Sequence, residues 1–78
     1  MNMESYYRTK DLSEAAFLYA SNNKLIRVDR NNGIVWFIFE DKSSCEVLVS
    51  SFWRKEAVVN AKEFADGIRT LKDLIFNK

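Results

Sequence analysis

The sequence predicts an α+β domain in which a small antiparallel sheet is covered on one face by about three helices. Three observations carry that prediction. Two β-favouring runs flank Asn31-Asn32-Gly33 and read as a hairpin over residues 24–40. Three apolar stripes at helical spacing each follow a capping residue. The chain has no proline and only two glycines, so no linker divides it, and residues 1–78 read as a single domain. The predicted order is β-α-β-β-α-(β)-α.

Ser5 to Thr9 carries paired tyrosines and reads as a short N-terminal strand. Asp11 with Glu14 fits a capping box, in which the Asp11 carboxylate accepts from free backbone donors and Glu14 reaches back. Leu12, Ala15, Ala16 and Tyr19 then fall at helical spacing and form the expected buried stripe. Asn22 and Asn23 suit the end of that helix because asparagine tolerates the left-handed backbone.

Lys24 to Arg30 alternates like a half-buried strand, and Ile34 to Glu40 is rich in branched and aromatic side chains. The turn between them closes either as a two-residue Asn32-Gly33 loop or as a three-residue turn with Gly33 in a bulge. The two-residue loop is the preferred closure. It sets Val28 opposite Phe37 and Ile26 opposite Phe39 on the core face, with Arg27, Asp29, Trp36 and Ile38 on the other.

Ser43 and Glu46 form a second capping box, followed by Cys45, Leu48, Val49 and Phe52 on one helical stripe. Arg54 and Lys55 sit where positive charge favours a helix C-terminus, and Ala57 to Val59 reads as an extended segment, with a short strand as an option. Asn60 and Glu63 open the last helix, whose stripe is Phe64, Ile68, Leu71 and Ile75 and which reaches nearly to Lys78. Lys62, Asp66, Arg69 and Asp73 alternate in sign along its polar face. Gly67, which costs about 1 kcal/mol against alanine in a helix interior, marks close packing against another element.

Composition narrows the function classes. Twelve Lys and Arg against eleven Asp and Glu create no global field to draw the protein to nucleic acid or anionic lipid, so such binding needs a local patch. A single cysteine excludes an intramolecular disulfide, and the longest apolar run, Ile34 to Phe39, is too short for a signal peptide or a membrane span. Cytoplasmic residence is the expectation, with no membrane partner. With no histidine, the commonest general base and metal ligand is absent, and no cysteine pair, glycine-rich phosphate loop or calcium loop replaces it. We therefore expect no enzyme and no cofactor.

Three constellations remain as candidates. Trp53 is rotated off the buried stripe of its helix and, with Arg54, is a candidate interface anchor, because tryptophan and arginine are enriched in contact hot spots. Packing of Trp53 over the last helix is the structural alternative. Arg27, Arg30 and Trp36 supply the basic and aromatic ingredients of a surface on which unpaired bases stack. The glycine expected between a basic residue and spaced aromatics in an RNA-recognition sheet is missing, and core packing is the alternative for this strand. Glu40-Asp41 could hold a divalent metal, although an aspartate at a helix start is commonly a cap. Cys45 lies on an apolar stripe and is expected to be a buried structural thiol.

Thr9-Lys10-Asp11-Leu12 with Ala15-Ala16, then Phe37 to Asp41, then Val59-Asn60-Ala61 with Phe64, then Arg69-Thr70-Leu71-Lys72 occur in a recognisable order. Together they resemble a family of short prokaryotic domains of unknown function, also carried by mobile elements, over nearly the whole chain. The resemblance implies a cytoplasmic, phage- or plasmid-associated setting and transfers no site residues. With 47% apolar residues in so small a chain, the leading expectation is a binding or interaction module that associates with itself. Weak single-stranded nucleic-acid binding through the hairpin is the alternative, and a metal-dependent enzyme at Glu40 and Asp41 a further one.

Overall fold

In a computed structural model, residues 5–76 are described. They run β1 (Tyr6–Thr9), α1 (Leu12–Ala20), β2 (Leu25–Asn31), β3 (Ile34–Glu40), α2 (Lys42–Trp53) and α3 (Ala61–Phe76). The strands form one antiparallel sheet in the order β1-β3-β2, so the most apolar strand lies in the middle. Ala57 to Val59, an optional strand in the sequence reading, pairs with nothing in the sheet. Instead Ala57 and Val59 line an apolar groove with Phe17, Phe52 and Phe64 while Val58 points to solvent, which accounts for the alternating pattern.

The hairpin turn is the two-residue form, because Asn32 and Gly33 both have positive φ, 55° and 81°. That primed turn matches the right-handed twist of the strands. Register beyond it follows expectation from Asn31 to Arg27, with Val28 opposite Phe37 and Asp29 opposite Trp36. It departs at Ile26. A bulge between Leu25 and Arg27 brings Leu25, rather than Ile26, opposite Phe39. The extra residue keeps an aliphatic side chain over Phe39 on the core face.

Phe37 and Phe39 are fully buried beneath Ala15, Ala16, Leu18, Cys45 and Leu71. Each such phenylalanine contributes roughly 2–3 kcal/mol by leaving water. α1 lies between α2 and α3, so more than one of its sides is covered. For that reason Phe17 and Leu18 are buried, whereas Tyr19, placed on the buried stripe by spacing alone, is 38% exposed. α3 crosses α1 at Gly67, where an added Cβ would lie 3.4 Å from the Ala16 carbonyl oxygen, as the sequence anticipated. Phe64, Ile68, Leu71 and Ile75 of α3 pack on the core or join it.

Two helix starts differ from the sequence reading. The Asp11 carboxylate does accept from the Glu14 amide at 2.9 Å, but Glu14 does not reach back; its side chain is turned inward and buried. α2 begins two residues earlier than the Ser43-Glu46 box implies. Its cap is Asp41, in the left-handed region at φ 66°, accepting from the Ser44 amide at 3.2 Å. Asn60 caps α3 as expected, accepting from the Glu63 amide at 3.0 Å. The part of α3 expected beyond Phe76 lies outside the described residues.

Candidate binding surface

All three helices pack on the Phe37 and Phe39 face of the sheet. The opposite face carries Tyr6 and Arg8 from β1, Trp36 and Ile38 from β3, and Arg27 and Asp29 from β2. Period-two alternation places them there: Arg8 pairs with Ile38, Ile38 with Arg27, and Trp36 with Asp29. No helix of the described residues lies over them. Ile38 is nevertheless buried, between Arg8 and Arg27 in the ladder.

Trp36 organises this face. The Arg8 guanidinium lies 4.7 Å from its ring centroid and the Lys10 ammonium 5.8 Å away. Each contact is worth about 0.5–1 kcal/mol at an exposed site. Among the described residues neither cation makes an ion pair, whereas Arg27 is held by Asp29 at 2.9 Å. The result is an aromatic and cationic cluster with two cations held on the indole.

Of the residues proposed for nucleic-acid contact, Arg27 and Trp36 share this face and Arg30 does not. Arg30 sits on the helix side, where its guanidinium donates to the Ile75 carbonyl at the end of α3 and so ties the hairpin to the last helix. Arg8 and Lys10 were missed by sequence reasoning. Only the pairing of β1 beside β3 brings them to Trp36, although the alternation Tyr6, Arg8 was a usable signal.

Trp53 is 57% exposed and Arg54 lies beside it on the surface. The indole reaches α1. Its Nε1 donates to Glu14 Oε2 at 2.8 Å, and its ring meets Phe52 edge-on at 5.1 Å. Arg54 is engaged by Ser50 and Glu56. The second oxygen of Glu14 accepts from the Tyr7 hydroxyl at 2.8 Å. Thus a carboxylate 7% exposed, with no ion pair among the described residues, joins β1, α1 and the end of α2 through two neutral donors. Burial first, and then the bond to Glu14, push the Tyr7 hydroxyl well above its usual pKa.

Glu40 and Asp41 open onto a polar cleft of about 620 Å³ that they share with Asn22, Asn23, Lys24 and Lys42. One Asp41 oxygen is occupied by the cap of α2, and two lysines line the same cleft. No group of three potential metal ligands occurs among the described residues. Cys45 is buried, its thiol 3.5 Å from the Glu40 carbonyl oxygen. Burial, aided by the charges of Asp41, Glu14 and Glu46, pushes this thiol up to about 11.

These features define a two-layer α+β domain with a three-stranded antiparallel sheet, one face under three helices and the other bearing an aromatic and cationic cluster. The chain belongs to the family described as domain of unknown function DUF5659, whose model matches residues 4–77. No curated protein and no solved structure matches it. Among the described residues no helix is long and apolar enough to cross a membrane.

Proposed function

We propose that the protein is a non-enzymatic binding module of the cytoplasm, in a prokaryotic and mobile-element setting, that takes single-stranded nucleic acid across the open face of its sheet. The observation that carries this reading is the placement of Arg8 and Lys10 on Trp36. A base stacking on the indole replaces the cations there, and the displaced cations meet the phosphates on either side. Stacking of one base is worth about 1–3 kcal/mol, so a single Trp36 supports weak, sequence-tolerant binding. Arg27 adds less because Asp29 shares its charge.

Titration of tryptophan fluorescence with oligonucleotides tests the reading, in a Trp53→Phe background so that Trp36 is the reporter. With two or three phosphates neutralised, log K should fall against log salt with a slope of roughly −1.4 to −2.1. Trp36→Leu followed by anisotropy of labelled oligonucleotide, and Arg8→Ala with Lys10→Ala, should each weaken binding at least tenfold. Absence of quenching at low salt, or binding indifferent to these changes, rejects it.

Self-association is the second reading, favoured by the exposure of large apolar side chains at Val47, Trp53, Leu74 and Phe76. Trp53 and Arg54 are its candidate contacts at the end of α2. Sedimentation at micromolar concentration decides it: a strictly monomeric protein removes this reading.

A further inference from the structure

β2 is an edge strand, and among the described residues nothing pairs with its outward side. From the edge geometry we infer that two copies of the chain join through β2, antiparallel, about a two-fold axis at Val28 perpendicular to the sheet. The inference rests on the self-association reading but places the contact at β2 instead of at Trp53 and Arg54, and it is independent of the nucleic-acid one.

The register follows from charge and from the hydrogen-bonding phase. Such an axis keeps each face of the sheet on its own side, so it must pass through a residue rather than between two. Axes at Arg27, Asp29 or Arg30 set like charges directly opposite one another, which is destabilising. The axis at Val28 does the reverse. It sets Arg27 opposite the second copy's Asp29, and Asp29 opposite the second copy's Arg27, on the open face, while Val28 meets its own equivalent on the helix side.

The backbone phase agrees. With a two-residue turn at Asn32-Gly33, Asn31 and Ile34 form the first hydrogen-bonded pair, so Asp29 and Arg27 also bond inward to β3. Val28 therefore directs its N–H and C=O outward, where two Val28 residues exchange both bonds. Arg27 and Asp29 then fall in non-bonded pairs, whose side chains stand closest, with Cα atoms about 4.5 Å apart. Charges guard an edge against arbitrary strands. Among axes at residues 27 to 30, their order favours only the one at Val28. The last turn of α3, tied to Arg30 through the Ile75 carbonyl, brings the exposed Phe76 to the same edge.

Pairing would give a continuous six-stranded sheet with helices on one face and two Trp36 clusters on the other, three strand spacings or about 14 Å apart across the sheet. Sedimentation velocity on the whole chain, without nucleic acid, tests the geometry through charge reversal. Arg27→Asp and Asp29→Arg should each weaken the dimer at least tenfold, their folds checked by circular dichroism. Mixed together, the two single variants should form a heterodimer, because opposite charges then face each other at both positions while each variant alone carries like charges. Trp53→Ala should leave the dimer intact. A monomeric wild-type protein overturns both self-association and this interface. A wild-type dimer that survives either charge reversal, that dissociates with Trp53→Ala, or whose variants fail to combine on mixing, overturns the β2 interface alone.

Discussion

Removal of the Glu14 carboxylate should be the most costly single truncation outside the apolar core. Glu14 is 7% exposed, and its two oxygens accept from the Tyr7 hydroxyl and the Trp53 indole, each at 2.8 Å. Hydrogen bonds to a charged acceptor contribute about 1.5–3 kcal/mol each. In Glu14→Ala the Tyr7 hydroxyl loses its buried partner, whereas the half-exposed indole can recover water, so the expected loss is roughly 2–4 kcal/mol. For a domain of this size that lowers Tm by roughly 10–25 °C. Glu14→Gln separates geometry from charge. Its carbonyl oxygen can still accept from the indole while its amide donates to the Tyr7 oxygen, and no buried charge remains, so it should fall within about 1 kcal/mol of wild type. Urea denaturation of the three proteins measures both differences. A Glu14→Ala variant no weaker than an exposed substitution, or a Glu14→Gln variant as damaged as Glu14→Ala, would refute the clamp. Tyr7 supplies a second readout, since its folded pKa is raised by burial and by Glu14. Stability from that group is present below the unfolded tyrosine pKa of about 10 and is lost as pH rises further. In Glu14→Gln the absorbance titration of the phenol should move to lower pH.

Further measurements probe the helices and the thiol. At Gly67 an added methyl meets the Ala16 carbonyl oxygen at 3.4 Å and the Tyr19 ring at 3.6 Å, ordinary contact distances. Gly67→Ala should therefore stabilise by about 0.5–1 kcal/mol through helix propensity, whereas Gly67→Leu should destabilise by forcing α1 and α3 apart; thermal melts give both signs. Asp41→Ala removes the cap of α2 and leaves a non-glycine residue at φ 66°, for an expected cost of about 1–3 kcal/mol, while Asp41→Asn retains most of the stability. The Cys45 thiol is raised from 9.0 to about 11, so its contribution to stability is complete below pH 9 and disappears as pH rises through 11. Accordingly, native protein should resist alkylation at pH 8 and react on unfolding, as mass spectrometry would show; fast native labelling would contradict the buried thiol.

Most of the scaffold was legible because its signals are local. Asn32-Gly33 specifies a primed turn through its own backbone preferences, and Asp11 and Asn60 mark helix starts through hydrogen bonds within one turn. Gly67 announced a close helix crossing because little else recommends glycine in that position. Where two local signals competed, tertiary packing chose between them. Asp41 outcompeted Ser43 as the cap of α2 because the left-handed turn there carries the chain directly from β3 into the helix. A bulge moved Leu25 over Phe39, and Ala57 and Val59 line a groove with Phe17, Phe52 and Phe64 instead of joining the sheet.

The candidate site belongs to that second class. By itself the sequence determined that Arg27 and Trp36 share a face, because a two-residue turn couples β2 to β3 and period-two alternation does the rest. Only tertiary structure decided that β1 lies on the other side of β3 and brings Arg8 and Lys10 to the indole, that Arg30 reaches α3 instead, and that Glu14 meets Tyr7 and Trp53. Alternation and capping act over a few residues and are written in neighbouring side chains. The contact from Glu14 to Trp53 spans 39 positions and depends on how three helices stack over one sheet, a choice made by the shape of the whole core.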